Sequence, residues 1–352
     1  MSWPRIAIFR ALQLGDMLCM VPALRALRAH CPQSHITLVG LPWAVEFTRR
    51  FCRYVDEFVP FPGMEGFPEQ AADEAAMAGF IRRMRQSRFD LALQMHGSGT
   101  LSNALVSRFG AAEMAGFYPS GQPAPEDGVF IRWDEQRNEV LRFLDLLARL
   151  GVPARGVQLE FPLLEEDFAG LRAAAPGLAG RGDYICVHPG ARYASRRWPA
   201  SRFAAVANRA AEQGLQVVLT GSANEAALTA QVREQLRGPV LDLTGRTSLG
   251  SLAALVAGAR LVVCNDTGLS HVATAVATPS VVISSGSDTR RWSPLDAARH
   301  RVLSGDAPCR PCMHLECPHE GHPCASGVTV EQVWEAANAA LNGHAGQSKE
   351  GG

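Results

Sequence analysis

Short β-like runs alternate with helix-patterned segments in two successive series, and this alternation narrows the folds open to the chain more than any other feature. In the first series RIAIF (5–9), ITLVG (36–40) and LALQM (91–95) read as strands. Apolar residues recur at helical spacing from the loop after residue 9 to about residue 29, where Pro22 requires a first turn or a kink. NEVLRFLDLLARLG (138–151) is a patterned helix stopped by Gly151, with Pro153 just beyond. A charged, Ala/Gly/Pro-rich stretch around 163–183 separates this series from the next. The second series sets YICV (184–187), QVVLT (216–220), LVVC (261–264) and SVVI (280–283) among helices at 201–213 and 224–236. Strands alternating with helices imply a parallel sheet covered on both faces, the α/β class. The 352 residues suit two such domains better than one. The pattern predicts an N-terminal domain over 1–165, a connection over 166–183 and a second domain over 184–328. A last amphipathic helix over 329–342 and a disordered tail over 343–352 complete the expectation.

Composition removes several functional classes. Hydrophobic content of 47% with 19% charged residues is ordinary for a protein with two cores. A formal net charge of zero argues against a nucleic-acid binder driven by overall charge. Arg10, Gln13 and Asp16 interrupt any signal-peptide core near the N-terminus. No run approaches the ~20 apolar residues of a membrane span, so the expected location is cytoplasmic. Cys19, Cys31, Cys52, Cys186 and Cys264 are scattered through core-like segments and read as free thiols.

Polar motifs recur directly after the strands. LGD (14–16) follows the first one; taken alone, Asp16 reads as a helix cap and Gly15 as a tight turn. HPGARYASRRWPASRF (188–203) carries Arg192, Arg196 and Arg197, with Pro199 placed to begin a helix. Guanidinium forks there suit a diphosphate or simply a solvated surface. GSANEAAL (221–228) sets Glu225 at a helix start, where a carboxylate favours the dipole and one aimed outward suits ribose hydroxyls. CNDTGLSH (264–271) supplies Asp266 or Thr267 as a cap and Gly268 for the turn, but capping leaves His271 unexplained. Ligands in open α/β sheets bind beyond the carboxyl ends of the strands, so four polar motifs at such ends point to one rim.

NDTGLSH (265–271), RRWP (196–199), NE (224–225) and LGDML (14–18) occur in the order and spacing of glycosyltransferase family 9, which includes the lipopolysaccharide heptosyltransferases. The resemblance extends from about residue 5 to about 342. It implies a GT-B fold, two Rossmann-like domains facing each other across a cleft, with the donor nucleotide on the C-terminal one and the acceptor on the N-terminal one. It also implies that the final helix packs back toward the N-terminal domain. Carried over by position, Asp16 is the general base toward the acceptor hydroxyl and Glu225 holds the nucleotide ribose. Asp266, Thr267, Gly268 and His271 surround the diphosphate and the transferred sugar. Arg196 stands where the family usually has lysine, a departure in a chain whose single lysine is Lys349. The implied activity is inverting transfer of heptose from a nucleoside-diphosphate sugar, ADP-heptose, to a lipopolysaccharide inner core or related glycan. No cofactor is implied. The sequence has no D-x-D pair, the usual metal-holding motif of the other large glycosyltransferase class. A helix N-terminus with nearby cations offers leaving-group stabilisation of another kind.

Two features stay open. CRPCMHLECPHEGHPC (309–324) places Cys309, Cys312, Cys317 and Cys324 in a pattern that begins like a zinc site but continues like no standard finger. A Pro-rich loop of free thiols is the competing reading. Arg49, Arg50 and Arg53, and farther on Arg82, Arg83, Arg85 and Arg88, suit either a solvated face or the phosphates of an acceptor, lipid-linked or glycan, at the inner membrane face, where they would hold the enzyme peripherally. A sugar-nucleotide epimerase of the same fold and a non-catalytic nucleotide-sugar binder are the alternatives. A dehydrogenase is disfavoured because no G-x-G-x-x-G follows the first strand.

Overall fold

A computed structural model describes residues 3–343, which form two units divided after Val157. The first contains, in chain order, β1 (Arg5–Phe9), α1 (Leu14–His30), β2 (His35–Gly40), α2 (Ala44–Arg50) and β3 (Glu57–Pro60). It continues with α3 (Glu74–Gln86), β4 (Leu91–Gln94), α4 (Ser102–Ser107), β5 (Glu113–Tyr118), β6 (Val129–Arg132) and α5 (Glu139–Arg149). Its six strands are parallel in the order β3-β2-β1-β4-β5-β6. Ile6, Ala7, Ile8 and Phe9 on β1 are fully buried, as a strand covered on both faces requires. Helix α1 runs through Pro22 over 17 residues, and Gly15 lies inside it, not in a tight turn ahead of it. Asn138 caps α5 by accepting from the Val140 N–H at 3.1 Å, and Gly151 follows the helix at φ +78°.

The second unit contains α6 (Glu165–Ala174), β7 (Tyr184–His188), α7 (Ala200–Glu212), β8 (Gln216–Leu219), α8 (Ala226–Arg233), β9 (Val240–Asp242) and α9 (Leu249–Gly258). It ends with β10 (Leu261–Asn265), α10 (Gly268–Ala275), β11 (Ser280–Ile283), α11 (Thr289–Trp292), β12 (His300–Leu303), α12 (Pro323–Ser326) and α13 (Val330–Gly343). Its strands are again all parallel, in the order β12-β11-β10-β7-β8-β9. Counted from its own first strand this is 6-5-4-1-2-3, the sequence of the first sheet read from the other edge. Both are the doubly wound arrangement, whose ligand crevice opens where the strand order reverses. In the first unit that point lies between β1 and β4; in the second it lies between β7 and β10.

One boundary expectation changes. The stretch 166–183 is not a plain connection, because α6 lies within the second unit and packs on α9. Its first turn carries Glu165, Glu166 and Asp167, and the Asp167 carboxylate accepts from the Leu164 N–H at 2.8 Å, so the charged composition marks a helix start. The final helix α13 contributes its apolar face to the second unit: Val333, Ala337 and Leu341 join the core around Trp198, Phe203 and Ile283. The tail expected over 343–352 lies outside the described residues from 344 on. Among the described residues no helix is long and apolar enough to cross a membrane.

Candidate active site

The last residue of β10 organises the second unit's rim. Asn265 is fully buried; its Oδ1 accepts from the Trp198 N–H at 3.0 Å, and its Nδ2 donates to Pro189 O at 2.7 Å and Gly190 O at 3.3 Å. One amide thereby ties the loop after β7 at both ends, and a buried amide left unpaired there would be costly. Glu225 lies against the same loop. Its carboxylate accepts from the Ser222 N–H at 2.7 Å and the Ser222 hydroxyl at 2.9 Å. A Cβ on Gly190 would come within 2.1 Å of Glu225 Oε1, so the carboxylate rests directly on a glycine. His188, ending β7, is buried and held below the ordinary histidine range by that burial, with the Glu225 charge acting in the opposite direction.

Chain direction changes sharply after β10. Thr267, extended at φ −145°, caps α10 by accepting from the Leu269 N–H at 3.4 Å, which settles the capping role on Thr267 and leaves Asp266 to other contacts. Gly268 is the first residue of that helix. The Asp266 N–H donates to Ile283 O at 3.0 Å, and its carboxylate accepts from the Ser287 hydroxyl at 2.5 Å. Ser287 belongs to SSGS (284–287), the loop directly after β11. Gly286 in this loop sits at φ +70°, and a Cβ there would meet Arg196 Nη1 at 3.1 Å and Cys312 Sγ at 2.9 Å. The Arg196 fork donates to Ser285 O at 3.1 Å and to Cys312 O. His271, one turn into α10, is buried with its ring edge-on to Trp292 at 6.2 Å. Arg196 and Asp266 thus meet at SSGS, with Thr267 and Gly268 following Asp266 into α10, while Glu225 reaches the same rim through Gly190 and Asn265.

The cysteine loop is part of this assembly. Among the described residues no three His, Cys, Asp or Glu side chains are grouped to hold a metal ion, so the zinc reading of Cys309, Cys312, Cys317 and Cys324 is not carried by the geometry. Burial pushes the Cys324 thiol up, reinforced by the neighbouring Cys317, Cys309 and Cys312; the four are close, yet not gathered on one point. Hydrogen bonds to backbone carbonyls order the loop. Cys312 N–H donates to Gly286 O at 2.8 Å, Ser195 N–H to Leu315 O at 3.1 Å, and Arg310 Nη2 to Ser287 O at 3.0 Å. The loop buttresses the turns that carry Arg196 and SSGS.

Asp16 occupies the corresponding place in the first unit, just after β1. It is the third residue of α1, and the helix's N-cap Gln13 makes no side-chain cap bond, so Asp16 is not the cap. Its side chain is 25% exposed and lies 3.8 Å from Nη2 of Arg10, which is completely buried. Arg10 Nε donates to Asp16 O at 3.0 Å, Nη1 to Met95 O at 2.5 Å and Nη2 to Glu139 Oε1 at 3.2 Å. His96, immediately beyond β4, accepts from the Ala11 N–H at Nδ1 (3.2 Å) and stacks on Phe9 at 5.2 Å. Burial, and then the Arg10 charge, lower its pKa to about 3, so it is a neutral imidazole.

The arginines expected to meet an acceptor have different surroundings. Arg49 pairs with Glu46 at 3.1 Å, Arg50 is buried, and Arg53 lies over the Tyr54 ring at 4.7 Å. A concavity of about 1050 Å³ in this unit is lined instead by Pro42, Phe61, Gln70, Asp73, Phe80 and Arg83. Sequence reasoning passed over Arg10, His96, Asn265 and the SSGS serines. A signal existed for two of them: HGSG (96–99) and SSGS (284–287) follow strands directly, as the selected motifs do.

Parallel doubly wound sheets with polar turns at their switch points belong to the class of α/β proteins that bind ligands such as nucleotides beyond the strand ends, and comparisons with known proteins narrow that class. The model of glycosyltransferase family 9 (heptosyltransferase) matches residues 77–322. Lipopolysaccharide heptosyltransferase 2 of Escherichia coli K12 is 27% identical, over 93% of this chain and 96% of that one. The solved family 9 glycosyltransferase of Veillonella parvula superposes with TM-score 0.80 at 23% identity, covering 97% of this chain and 98% of that one. The E. coli ADP-heptose lipopolysaccharide heptosyltransferase II structure gives 0.73 at 24% identity, covering 97% and 99%. The chain belongs to glycosyltransferase family 9, and its fold is that of the solved heptosyltransferases, GT-B.

Proposed function

We propose that this glycosyltransferase moves heptose from ADP-heptose to a lipopolysaccharide inner-core acceptor with inversion at the anomeric carbon. The observation that carries the reading is the rim of the second unit, where Arg196, Asp266 and the α10 start gather on one glycine-serine loop and Glu225 joins through Gly190. In this reading the α10 N–H groups and Arg196 meet the diphosphate as charge builds on it, and Glu225 takes the ribose hydroxyls. Thr267, Gly268 and His271 border the diphosphate and sugar. Asp16 accepts the proton of the attacking acceptor hydroxyl as the new glycosidic bond forms and the bond to the β-phosphate breaks, leaving ADP. Protein groups supply the leaving-group stabilisation, and no metal or cofactor enters any step. Acceptor contacts by Arg49, Arg50 and Arg53 fit less well than a role for the Arg83-lined concavity. Cytoplasmic placement, with peripheral attachment at the inner membrane face, follows from an acceptor that is lipid-linked.

Two measurements test this. ADP-heptose at a hundred times its Kd should stabilise the protein by about 2.7 kcal/mol through mass action, whereas UDP- and GDP-sugars at equal concentration leave the melting curve in place. Incubation with ADP-heptose and lipid A glycolipids carrying none, one or two inner-core heptoses should add one heptose to one member of the panel. A melting response confined to UDP-sugars would move the donor assignment elsewhere. Conversion of donor without any acceptor would favour the epimerase.

A further inference from the structure

The Arg10 side chain is out of place by ordinary rules. A fully buried arginine is costly, and an apolar residue of similar volume would usually pack as well or better. Its guanidinium instead joins three elements that the chain brings together from far apart: the start of α1 through Asp16, the end of β4 through Met95 O, and the start of α5 through Glu139. Phe143 lies under the group at 4.4 Å. Glu139 is held on its other side by Arg142 Nε at 3.2 Å, and Arg142 is itself buried with its guanidinium 3.5 Å from the centre of the Trp133 ring. The four charged groups, Arg10, Arg142, Glu139 and Asp16, sum to zero only while Asp16 is a carboxylate. Protonating Asp16 would leave a net positive charge in a largely dry site. His96, reached through Ala11, adds no charge while it is neutral, and Glu69 lies beyond it at 4.0 Å.

We propose that Arg10 is a positioning residue for the transfer reaction: anchored by Glu139 and Arg142, it fixes the Asp16 carboxylate at the rim and keeps it ionised and ready to take the acceptor proton. The inference rests on the reading of Asp16 as the base. Nε of the planar group holds the Asp16 backbone carbonyl at 3.0 Å and thereby the start of α1, while Nη2 stands 3.8 Å from the carboxylate, near enough for its charge to favour the ionised form. Lysine offers the charge without the fork, so charge and orientation separate experimentally.

The test compares Arg10→Met, Arg10→Lys and Glu139→Gln by steady-state kinetics with ADP-heptose and the same inner-core glycolipid panel, across pH. Arg10→Met should lower kcat by about 100-fold, the scale of a misplaced reacting group, with the KM for ADP-heptose within about twofold. Its acid limb in kcat/KM should move to higher pH, because a carboxylate that loses an adjacent cation holds its proton more tightly. Arg10→Lys should return the acid limb to near its original pH while recovering only part of kcat. A folded Arg10→Met protein with unchanged kcat and an unmoved acid limb overturns the proposal. Where Arg10→Met does not fold, Glu139→Gln decides: freeing Arg10 to answer Asp16 alone should move the acid limb to lower pH, and an unmoved limb overturns the proposal. The base reading fails separately, if Asp16→Asn retains transfer.

Discussion

The two sheets share one strand order, yet their switch points are furnished in opposite ways. The first unit places buried charge there: Arg10, Glu139 and Arg142 behind a partly exposed Asp16. The second uses mostly uncharged groups. Asn265, Thr267 and Ser287 hold backbone and one carboxylate in place around a helix start. Buried charge fixes the ionisation state of one neighbour, which suits proton transfer. Fixed N–H dipoles and hydroxyls suit an anion that arrives and leaves, because they need no rearrangement as its charge changes. In the proposed reading, the same strand order carries proton transfer on one unit and leaving-group stabilisation on the other.

The sharpest break between the halves is Asp16→Asn. The amide keeps the size of the carboxylate but loses its ability to accept a proton, so transfer should fall by about 10³-fold, within the range assigned to general bases. Stabilisation by ADP-heptose should stay within about 1 kcal/mol of the unaltered protein, since the elements proposed for the donor belong to the other unit. A parallel loss of donor response would mean that the two rims do not divide the work as described.

A smaller effect separates the units by pH. Folded His96 titrates near pH 3 and the unfolded chain near 6.5, so between those values the unfolded state binds the extra proton. Stability therefore falls as pH drops through this window, by about 2 kcal/mol from His96 alone between pH 7.5 and 5. The structural cause is specific: protonation would make Nδ1 a donor and destroy its bond from the Ala11 N–H. His300 in the second unit, lowered to about 4 by burial, adds in the same direction. His96→Gln should flatten the pH dependence of the first unit's hydrogen exchange while leaving that of β12 unchanged. Equal flattening in both units would contradict their independent titration.

How much of this was legible beforehand follows the same division between local and distant information. RIAIF, YICV, LVVC and SVVI stand at or beside the sheet centres, where burial on both faces demands continuous apolar residues, and their boundaries came out within a residue. The edge strands β3, β6, β9 and β12 escaped notice. EFVP ends in proline and VFIR in an exposed arginine, because an edge strand faces the core on fewer sides. Site residues divide likewise. Asp16, Arg196, Glu225 and Asp266 lie in the loop or first helical turn that follows a strand, so a local rule found them. Arg10 looked like an interruption in an apolar run, because its meaning depends on Glu139, 129 residues away. Asn265 looked like the first residue of a turn, although its partners Trp198 and Pro189 make it the clamp of another loop.

The smallest predicted effect probes the second rim alone. Thr267→Ala removes the side-chain acceptor that caps α10, a bond already long at 3.4 Å, and N-cap losses of this kind cost about 1 kcal/mol. The Ser270 hydroxyl, which donates to Thr267 O at 2.7 Å, keeps its partner because that oxygen belongs to the backbone. The helix start should therefore loosen without unravelling. Hydrogen exchange at Leu269 and Ser270 should quicken by about fivefold, the equivalent of that 1 kcal/mol, while amides on β1 and α1 keep their rates. In the proposed reading the diphosphate meets those same N–H groups, whose dipole depends on their being held parallel, so ADP-heptose affinity should weaken by a similar factor. Faster exchange with unchanged affinity would detach the donor from the start of α10 and place its phosphates on the Arg196 side of the rim.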